Sequence, residues 1–541
     1  MKETEFNLLD EKWIRVRLSD NSIQEVSLTD ALLHAQDYAD LAGEMLTQDA
    51  AMLRLLLAIP LTIFYRVNVR GEDEPLVKSD QAIMRWKELW ELGAFPEKPI
   101  RDYLEMWHER FWLFHPERPF WQVKEANIGT SYGAAKLNGE ISESANKVRL
   151  FCLYSGEEKN SLNYSQAARW LLYVNGFDDT SAKPKGKNLP SVGAGWLGKI
   201  GFIQAQGRNL FETLMLNLTL LQDGQNLWED NVPYWELDNP RINERVEIVL
   251  PRGYAQLLTL QSRRILLERD SNENVIGYSL LGGDFFQKEN AFTEQMTIWR
   301  SVKGKKGAPV EYVPCRHNPA KQFWREFPSV FCDSTENVHK PGIVRWITLL
   351  QNKRLKILNP KIQIHFRISG AQYGDKDFFV NDSFWDTLSF QVSILDEFNV
   401  EIQTRISDEI ERCEKTARLL GHYAQELAIA SGKSTNQDIE SIQTKFYFNV
   451  DVPFRQWLWS VDAEQENIEE KLREWEKNCY KIAMDMAKEM VRNVNITAHV
   501  GHKMKENPER TMLYTAPKAY NEFQRKLRKI YPKSDMEGGS E

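Results

Sequence analysis

Three short clusters of basic residues, two of them interleaved with glycine, carry the clearest chemistry in the sequence. Lysine and arginine side chains on surface loops neutralise phosphates, and glycine lets the backbone approach a duplex closely. Solubilising surface charge explains any one cluster equally well, but three clusters in the N-terminal part of the chain favour nucleic-acid binding. The basic residues are Lys183, Lys185, Lys187, Lys303, Lys305, Lys306, Lys353 and Arg354.

Groups able to perform catalysis are few. His499 and His502 have a spacing that one helical face could present to a metal ion, but Gly501 lies between them, and solvated or capping histidines are the simpler interpretation. The segment 193–198 has the outline of a dinucleotide fingerprint, yet a Pro-Ser dipeptide precedes it where a hydrophobic strand is required. The sequence contains no nucleophile elbow, P-loop or kinase motif. We therefore predict a protein that is not an enzyme and that uses no cofactor or metal.

The charge balance limits how the chain can attract nucleic acid. The 541 residues contain 69 Lys plus Arg against 77 Asp plus Glu, a net charge of −8. Any affinity for nucleic acid must therefore come from local basic surfaces rather than from an overall positive field.

Cysteine usage and hydropathy indicate the compartment. The five cysteines lie far apart without a C-x-x-C pair, which favours a reducing environment and disfavours a structural zinc site. The N-terminus lacks the order of a signal peptide, and the longest apolar run, Leu55–Phe64, is about half the length that spans a bilayer. We expect a soluble, cytoplasmic protein that does not contact a membrane.

Secondary-structure patterns divide the chain into two parts and indicate an α+β fold. Residues 1–395 mix short strand-like runs with helices, including two strands around the turn 19–22 and a strand over 361–368. They predict a large, irregular mixed α/β domain. Repeated glycine, proline, serine and lysine between Asn160 and Gln204 predict a long loop within it.

Residues 396–541 are predicted to form a four-helix bundle. Apolar residues recur three and four positions apart along two long stripes, and Thr515 with Pro517 begins the last helix. Four helices with apolar seams of this width can close around one core. The seam residues expected to be buried include Ile410, Leu420, Leu472 and Ile482.

Three sequence motifs together indicate a family, and the first two of them are specific. The first is Asn-Leu-Leu-Asp followed by Trp-Ile-x-Val-Arg over 7–17, and the second is His-Pro-Glu-Arg-Pro-Phe-x-Gln over 115–122. The third is Gly-Arg-Asn-Leu over 207–210, followed by Leu-x-Leu-Asn over 214–217. Together with the helical C-terminal part, they resemble the CasA family, the large subunit of the type I-E CRISPR surveillance complex Cascade. The resemblance extends over essentially the whole chain.

This resemblance implies a non-catalytic subunit of a ribonucleoprotein complex in antiviral defence. The family's large domain reads the short protospacer-adjacent motif of double-stranded DNA, largely from the minor groove, and helps to open the duplex for the guide RNA. Its bundle contacts DNA and neighbouring subunits. The implied partners are guide RNA, double-stranded target DNA, a recruited helicase–nuclease, and the backbone, small and guide-end-capping subunits of Cascade.

The resemblance also implies DNA-recognition residues in a hairpin. The family's recognition hairpin, which places a wedge at the first separated base pair, matches 369–377. Its tip residues here are Gly374, Asp375 and Lys376, where relatives often carry Asn, Gln and a small residue. The Asp375 carboxylate cannot donate to the acceptors of the minor groove but can accept from the guanine amino group, which allows a different preferred motif.

Further site residues are implied outside the hairpin. Gly198 matches the family's glycine loop and Lys288 its lysine finger, while Asn146 and Phe151 match a loop that touches guide RNA and a neighbouring subunit. Some relatives carry a zinc knuckle before the lysine finger. The corresponding stretch, 270–275, has no cysteine, so no zinc is predicted.

Two alternatives from other functional classes stay open from the sequence. The first is a metal-dependent nuclease that uses His499, His502 and nearby acids. The second is a structural scaffold whose basic loops contact RNA or other subunits without reading a motif.

Overall fold

A computed structural model describes most of the chain. The described residues are 3–139, 154, 156–180, 193–229, 231–237, 251, 253–284, 291, 293–302, 311–332, 339–352, 355, 357–433, 439–463, 468–507 and 510–532.

The chain divides into two compact units. Two segments that precede residue 395 belong to the second unit, so the division differs from a single cut between residues 395 and 396. The first unit comprises Met1–Lys321, Thr335–Ile357 and Ile364–Thr387, and the second comprises Gln322–Ser334, Leu358–Gln363 and Leu388–Glu541.

Sixteen α-helices occur in the described residues, and the longest lie in the second unit. They are α1 (Leu28–Leu33), α2 (Leu46–Arg66), α3 (Ser79–Leu92), α4 (Glu97–Met106), α5 (Ala134–Leu137), α6 (Tyr164–Phe177), α7 (Trp196–Lys199), α8 (Leu210–Asn217), α9 (Tyr254–Leu258), α10 (Phe327–Phe331), α11 (Gly342–Gln351), α12 (Val400–Ala430), α13 (Ile439–Ser460), α14 (Ile468–Arg492), α15 (Thr497–Val500) and α16 (Ala516–Ile530).

Within the described residues, fifteen strands form six small sheets of two or three strands each. This combination of helices and sheets confirms the mixed α+β class. The strands are β1 (Glu5–Asn7), β2 (Ile14–Arg17), β3 (Ile23–Val26), β4 (Asp40–Leu41), β5 (Trp112–Phe114), β6 (Thr130–Gly133), β7 (Phe202–Gln206), β8 (Arg263–Arg269), β9 (Val275–Gly282), β10 (Trp299–Val302), β11 (Glu311–Pro314), β12 (Gln363–Tyr373), β13 (Val380–Gln391), β14 (His502–Asn507) and β15 (Arg510–Tyr514).

Helix α2 is the central element of the first unit. All of its side chains from Thr47 to Phe64 are buried, because most of them are apolar and other helices cover this helix. Helices α4, α6, α8 and α9 pack against it. Among the described residues it is the one helix long and apolar enough to cross a membrane, yet almost all of it lies inside the unit.

The loop predicted between Asn160 and Gln204 is wrong for much of its described part. Helix α6 and helix α7 lie there, and β7 begins at Phe202. A capping box starts α6: the Asn163 side chain accepts from the Gln166 amide at 2.8 Å, and the Gln166 side chain accepts from the Asn163 amide at 3.0 Å. The buried run Trp170–Val174 then holds the helix in the core.

Four long helices dominate the second unit. Helix α12 packs against α13, α14 and α16, and α14 also contacts α13 and α16. Aromatic pairs join them, with Tyr423 and Phe523 rings 5.0 Å apart and Trp457 and Trp475 rings 5.5 Å apart.

The predicted cap of α16 and three of the four seam residues named from the sequence are as expected. Thr515 caps α16 as predicted, because its hydroxyl accepts from the Lys518 amide at 3.3 Å. Ile410, Leu420 and Leu472 are buried as expected. The expectation for Ile482 is wrong: it is half-buried, since the neighbouring Ala483 takes the core-facing position of that turn.

We predict that Leu420→Ala lowers the free energy of unfolding of the second unit by about 2–5 kcal/mol, because it removes a fully buried side chain from the face of α12 and leaves a cavity. Urea denaturation of the full chain, monitored by circular dichroism, measures the change in the free energy of unfolding. Phe448→Ala on α13 is the control, since its ring is 78% exposed. Equal losses in both variants would contradict the assigned packing.

Candidate nucleic-acid interface

A β-hairpin formed by β12 and β13 projects the predicted tip residues. Strand β12 is anchored on its other edge by β7, with Phe366 opposite Ala205 and Ile368 opposite Ile203. Its apolar residues alternate, so one face of the strand is buried. The hairpin closes where the Gly374 amide donates to the Phe379 carbonyl at 2.8 Å.

The tip itself has a constrained backbone. Lys376 and Asp377 have φ angles of 56° and 60°, in the left-handed region that non-glycine residues seldom adopt. Thr180, which lies just after α6, stabilises this conformation by hydrogen bonds. Its amide donates to the Asp377 carbonyl at 2.8 Å, and its hydroxyl donates to the carbonyls of Lys376 and Asp377, also at 2.8 Å each. The hydrogen bonds therefore offset the cost of the strained turn.

Arg316, two residues after β11, connects the hairpin to α7. Its two terminal nitrogens donate to the two oxygens of the Asp377 carboxylate at 2.7 and 2.8 Å, and its Nε donates to the carbonyl of Gly198. The guanidinium lies 4.7 Å from the centre of the Tyr373 ring. Burial lowers the pKa of Arg316, but hydrogen bonding and attraction from Asp377 outweigh it and raise the pKa above its ordinary value.

Gly198 packs against the hairpin at a point where there is no room for a side chain. A Cβ atom at this position would lie 1.9 Å from the Tyr373 hydroxyl oxygen. That hydroxyl donates to the Phe177 carbonyl at 2.7 Å, and burial raises the pKa of Tyr373 well above its ordinary value. The glycine is thus required by internal packing, because it lets α7 lie directly against Tyr373.

Buried charges support the end of α6 and Gly193, which begins the predicted glycine loop over 193–201. Arg263 is fully buried, and its Nε donates to Asp178 at 2.6 Å while a terminal nitrogen donates to the carbonyls of Asp179 and Gly193 at 2.9 and 2.7 Å. Lys136 pairs with the Asp179 carboxylate at 2.7 Å. These pairs fix the segment that carries Thr180.

The structure brings four of the predicted site residues together. Gly374, Asp375 and Lys376 form the tip, and Gly198 joins them through Arg316 and Tyr373. The Asp375 and Lys376 side chains are exposed, whereas an added Cβ at Gly374 would lie 2.8 Å from the Phe379 ring. Thr180 and Arg316 carry no signal in the sequence, because their role depends on contacts between segments distant in the sequence.

The other predicted site residues lie outside the described part of the chain. They are Asn146, Phe151, Lys183, Lys185, Lys187, Lys288, Lys303, Lys305, Lys306, Lys353 and Arg354.

The alternative metal site receives no support from the described residues. His499 lies on α15, His502 begins β14, and both are exposed. Within the ranges that the structure describes, no group of three His, Cys, Asp or Glu residues is placed to hold a metal ion.

Comparison with known proteins decides the family. The model of the family described as CRISPR-associated protein Cse1 matches residues 7–486. The chain belongs to the Cse1 family. The predicted resemblance to CasA is thereby confirmed, since a curated relative from Thermus thermophilus, CRISPR-associated protein CasA/Cse1, is 31% identical over 336 residues. That match spans 60% of this chain and 60% of the relative, so the chain covers less than two thirds of that relative's length in the aligned region.

Solved structures of the Cse1 family share the fold over nearly the full length. Thermobifida fusca Cse1 is 26% identical with a TM-score of 0.81, covering 97% of this chain and 98% of its own. A chain of a CRISPR RNA-guided surveillance complex, 16% identical, has the same fold with a TM-score of 0.68, over 96% of this chain and 99% of that one.

We predict that Gly198→Ala destabilises the first unit by about 1–3 kcal/mol, because the new methyl group displaces Tyr373 from its bond to Phe177 and from Arg316. Thermal unfolding of the full chain measures the effect. Gly133→Ala is the control, since the nearest atom to its added Cβ is 3.9 Å away. A Gly198→Ala variant as stable as the wild type would contradict the packing at Tyr373.

Electrostatics at the base of the hairpin predict a pH dependence. On β12, Arg367 donates to the Asp40 carboxylate at 2.8 Å. Nearby, Asp49 is buried with its carboxylate accepting from the Gly43 amide at 2.7 Å, and burial raises its pKa to about 7. A carboxyl whose pKa rises on folding binds its proton more tightly in the folded state. Its contribution to stability is therefore complete below its ordinary pKa of 3.8 and is lost as pH rises through about 7.

We predict that Asp49→Asn is more stable than the wild type by about 2–4 kcal/mol at pH 8 and equally stable near pH 4, because it removes a buried charge while keeping an oxygen for the Gly43 amide. Melting temperatures of both proteins across this pH range measure the difference. Parallel curves with a constant offset would contradict the assigned titration.

Proposed function

We propose that this chain is the large, non-catalytic subunit of a Cascade-type CRISPR surveillance complex and that it recognises a protospacer-adjacent motif in double-stranded DNA. Membership of the Cse1 family supports this role, as does the fold shared with a chain of a surveillance complex. The observation that carries the proposal is the hairpin tip, where Asp375 and Lys376 expose charged side chains on a constrained backbone.

The two exposed charges match the chemistry of the minor groove. The Lys376 ammonium donates to the base acceptors that every pair presents there, and the groove's negative potential attracts it. The Asp375 carboxylate accepts from the amino group of guanine, the one donor that bases present in this groove. The DNA phosphates repel the Asp375 carboxylate unless a guanine amino group donates to it. We therefore infer that the tip favours motifs with a G·C pair at the position of Asp375.

An apolar side chain beside the tip suits the opening of the duplex. Phe378 is 39% exposed and follows the strained residues Lys376 and Asp377. Apolar wedges that enter a base step unstack it at a cost of a few kcal/mol, which contacts with the bent or opened DNA offset. In this proposal, Lys376 and Asp375 read the motif, and Phe378 presses on the adjacent pair.

The chain is net acidic, so its binding to DNA depends on assembly with other subunits. Base pairing with guide RNA reads the long target sequence, so the protein needs to read only a short tag. With a net charge of −8, the chain relies on the high effective concentration that the complex provides. We propose guide RNA, target DNA, the other Cascade subunits and a recruited helicase–nuclease as its partners.

Residues outside the described ranges enter the proposal from the family resemblance alone. Lys288 is proposed as a second donor in the groove, and Asn146 with Phe151 as part of a contact with guide RNA or a neighbouring subunit. The basic loops named in the sequence analysis are proposed as phosphate contacts.

We predict that Asp375→Ala combined with Lys376→Ala lowers the affinity of the reconstituted complex for motif-bearing paired DNA by about tenfold or more, because both base contacts are lost. A target already unpaired beside the motif should lose much less. Binding titrations against a library with a randomised motif measure both affinity and preference.

The control removes a comparable exposed charge pair elsewhere in the first unit. Lys98→Ala combined with Asp102→Ala breaks an ion pair of 2.8 Å on α4 and should leave both affinities unchanged. If the unmodified complex binds targets with and without a motif equally well, the chain is a scaffold and the proposed recognition is wrong.

A further inference from the structure

The hairpin tip, which is proposed to approach DNA, and helix α7, which carries the predicted glycine-loop residue Gly198, are joined by one side chain. Arg316 donates to both oxygens of Asp377 on the hairpin and to the Gly198 carbonyl on α7. Its guanidinium carbon also lies 4.7 Å from the centre of the Tyr373 ring, at the end of β12. Arg316 is 118 residues from Gly198 and 61 residues from Asp377 in the sequence, so the contact ties together three separate segments.

We infer that Arg316 is a positioning residue that sets the direction of the hairpin tip, so that motif contact and base-pair opening occur as one step. We name its contacts with Asp377, Gly198 and Tyr373 the Arg316 clasp. The inference rests on the proposed function for its consequence in DNA binding, while the clasp itself is a property of the free chain.

The strained backbone explains why the tip needs a clasp. Lys376 and Asp377 both occupy the left-handed region, where a non-glycine residue is held only by surrounding contacts. Thr180 holds the carbonyl oxygens of these residues, and Arg316 holds the Asp377 side chain. Loss of the second contact leaves the turn free to relax toward ordinary dihedral angles, which redirects Asp375 and Lys376.

Arginine is the side chain that suits this position. A planar guanidinium can bind two carboxylate oxygens, donate to a carbonyl and stack on a ring at the same time. A lysine ammonium keeps the positive charge, but it is a point charge on a flexible stem and cannot make the paired contact with Asp377. Arg316→Lys therefore separates geometry from charge.

The first arm of the test needs no DNA. Hydrogen–deuterium exchange of the full chain compares the wild type with Arg316→Lys at three amides: Thr180, which donates to Asp377; Asp377, which donates to Gly374; and Phe378, which donates to Asp375. We expect about tenfold faster exchange at these amides and no change along β8 and β9. Unchanged exchange at the three amides would overturn the inference.

The matched control is Arg66→Lys. Arg66 also donates to both oxygens of one carboxylate, that of Glu236, at 2.8 Å each, and to the Asn231 carbonyl at 3.1 Å. It loses the same kind of contact away from the hairpin, so its exchange at the tip should match the wild type. Faster exchange at the tip in this control as well would overturn the inference, because the effect would then be a general loss of stability.

The second arm uses the reconstituted complex. We expect Arg316→Lys to lower affinity for motif-bearing paired DNA about tenfold while a target premelted beside the motif loses about twofold or less. Asp377→Asn, which keeps the shape of its side chain, should weaken the same step less, and the double variant should be less than additive. Additive losses, or equal losses on both targets, would overturn the positioning role.

Comparison with the tip variant separates this inference from the proposed function. If Asp375→Ala with Lys376→Ala abolishes motif preference but Arg316→Lys retains wild-type binding, the clasp does not position the tip and the inference fails alone. If neither variant changes motif preference, the proposed function fails and the positioning role fails with it.

Discussion

The left-handed backbone at Lys376 and Asp377 is the constraint on which the candidate interface depends. Two consecutive residues with side chains are held in a region that sterics disfavour, so the surrounding structure must hold them there. Thr180 satisfies their carbonyl oxygens, and Arg316 pairs with the Asp377 carboxylate. The cost of the turn is thus met inside the protein, which leaves Asp375 and Lys376 directed outward before any ligand arrives.

The contacts that support this backbone also explain how the end of α6, helix α7 and strand β12 pack together. Thr180 is positioned because α6 ends just before it and because Arg263 binds both the Asp178 side chain and the Asp179 carbonyl. Tyr373 reaches the Phe177 carbonyl at the end of α6 because Gly198 leaves room for its ring. The glycine loop and the hairpin therefore form one packed structure, and the glycine at 198 has an internal role whether or not DNA approaches it.

Local sequence patterns predicted the structural elements that depend on residues close together in the chain. They could not predict contacts between segments that are distant in the sequence. Alternation predicted a strand over 361–368, and the structure has β12 over Gln363–Tyr373, with Ile364, Phe366 and Ile368 buried on one face. Helix α6 was missed because the glycine, proline and lysine residues after it dominated the composition of the window. The family resemblance implied the tip residues, but neither periodicity nor spacing marks Arg316 as a partner of Asp377 across 61 residues. Its role depends on the fold bringing a carboxylate, a carbonyl and a ring to one point.

Photo-cross-linking in the assembled complex tests the central claim, that this hairpin tip enters the minor groove at the motif. A photoreactive nucleotide is placed in turn at each position of the motif and of the flanking pairs, and the cross-linked peptides are identified by mass spectrometry. We expect cross-links to residues 374–378 from the motif and the first flanking pair, and their loss when the motif is replaced. Cross-links that avoid these residues, or that form equally without a motif, would contradict the account.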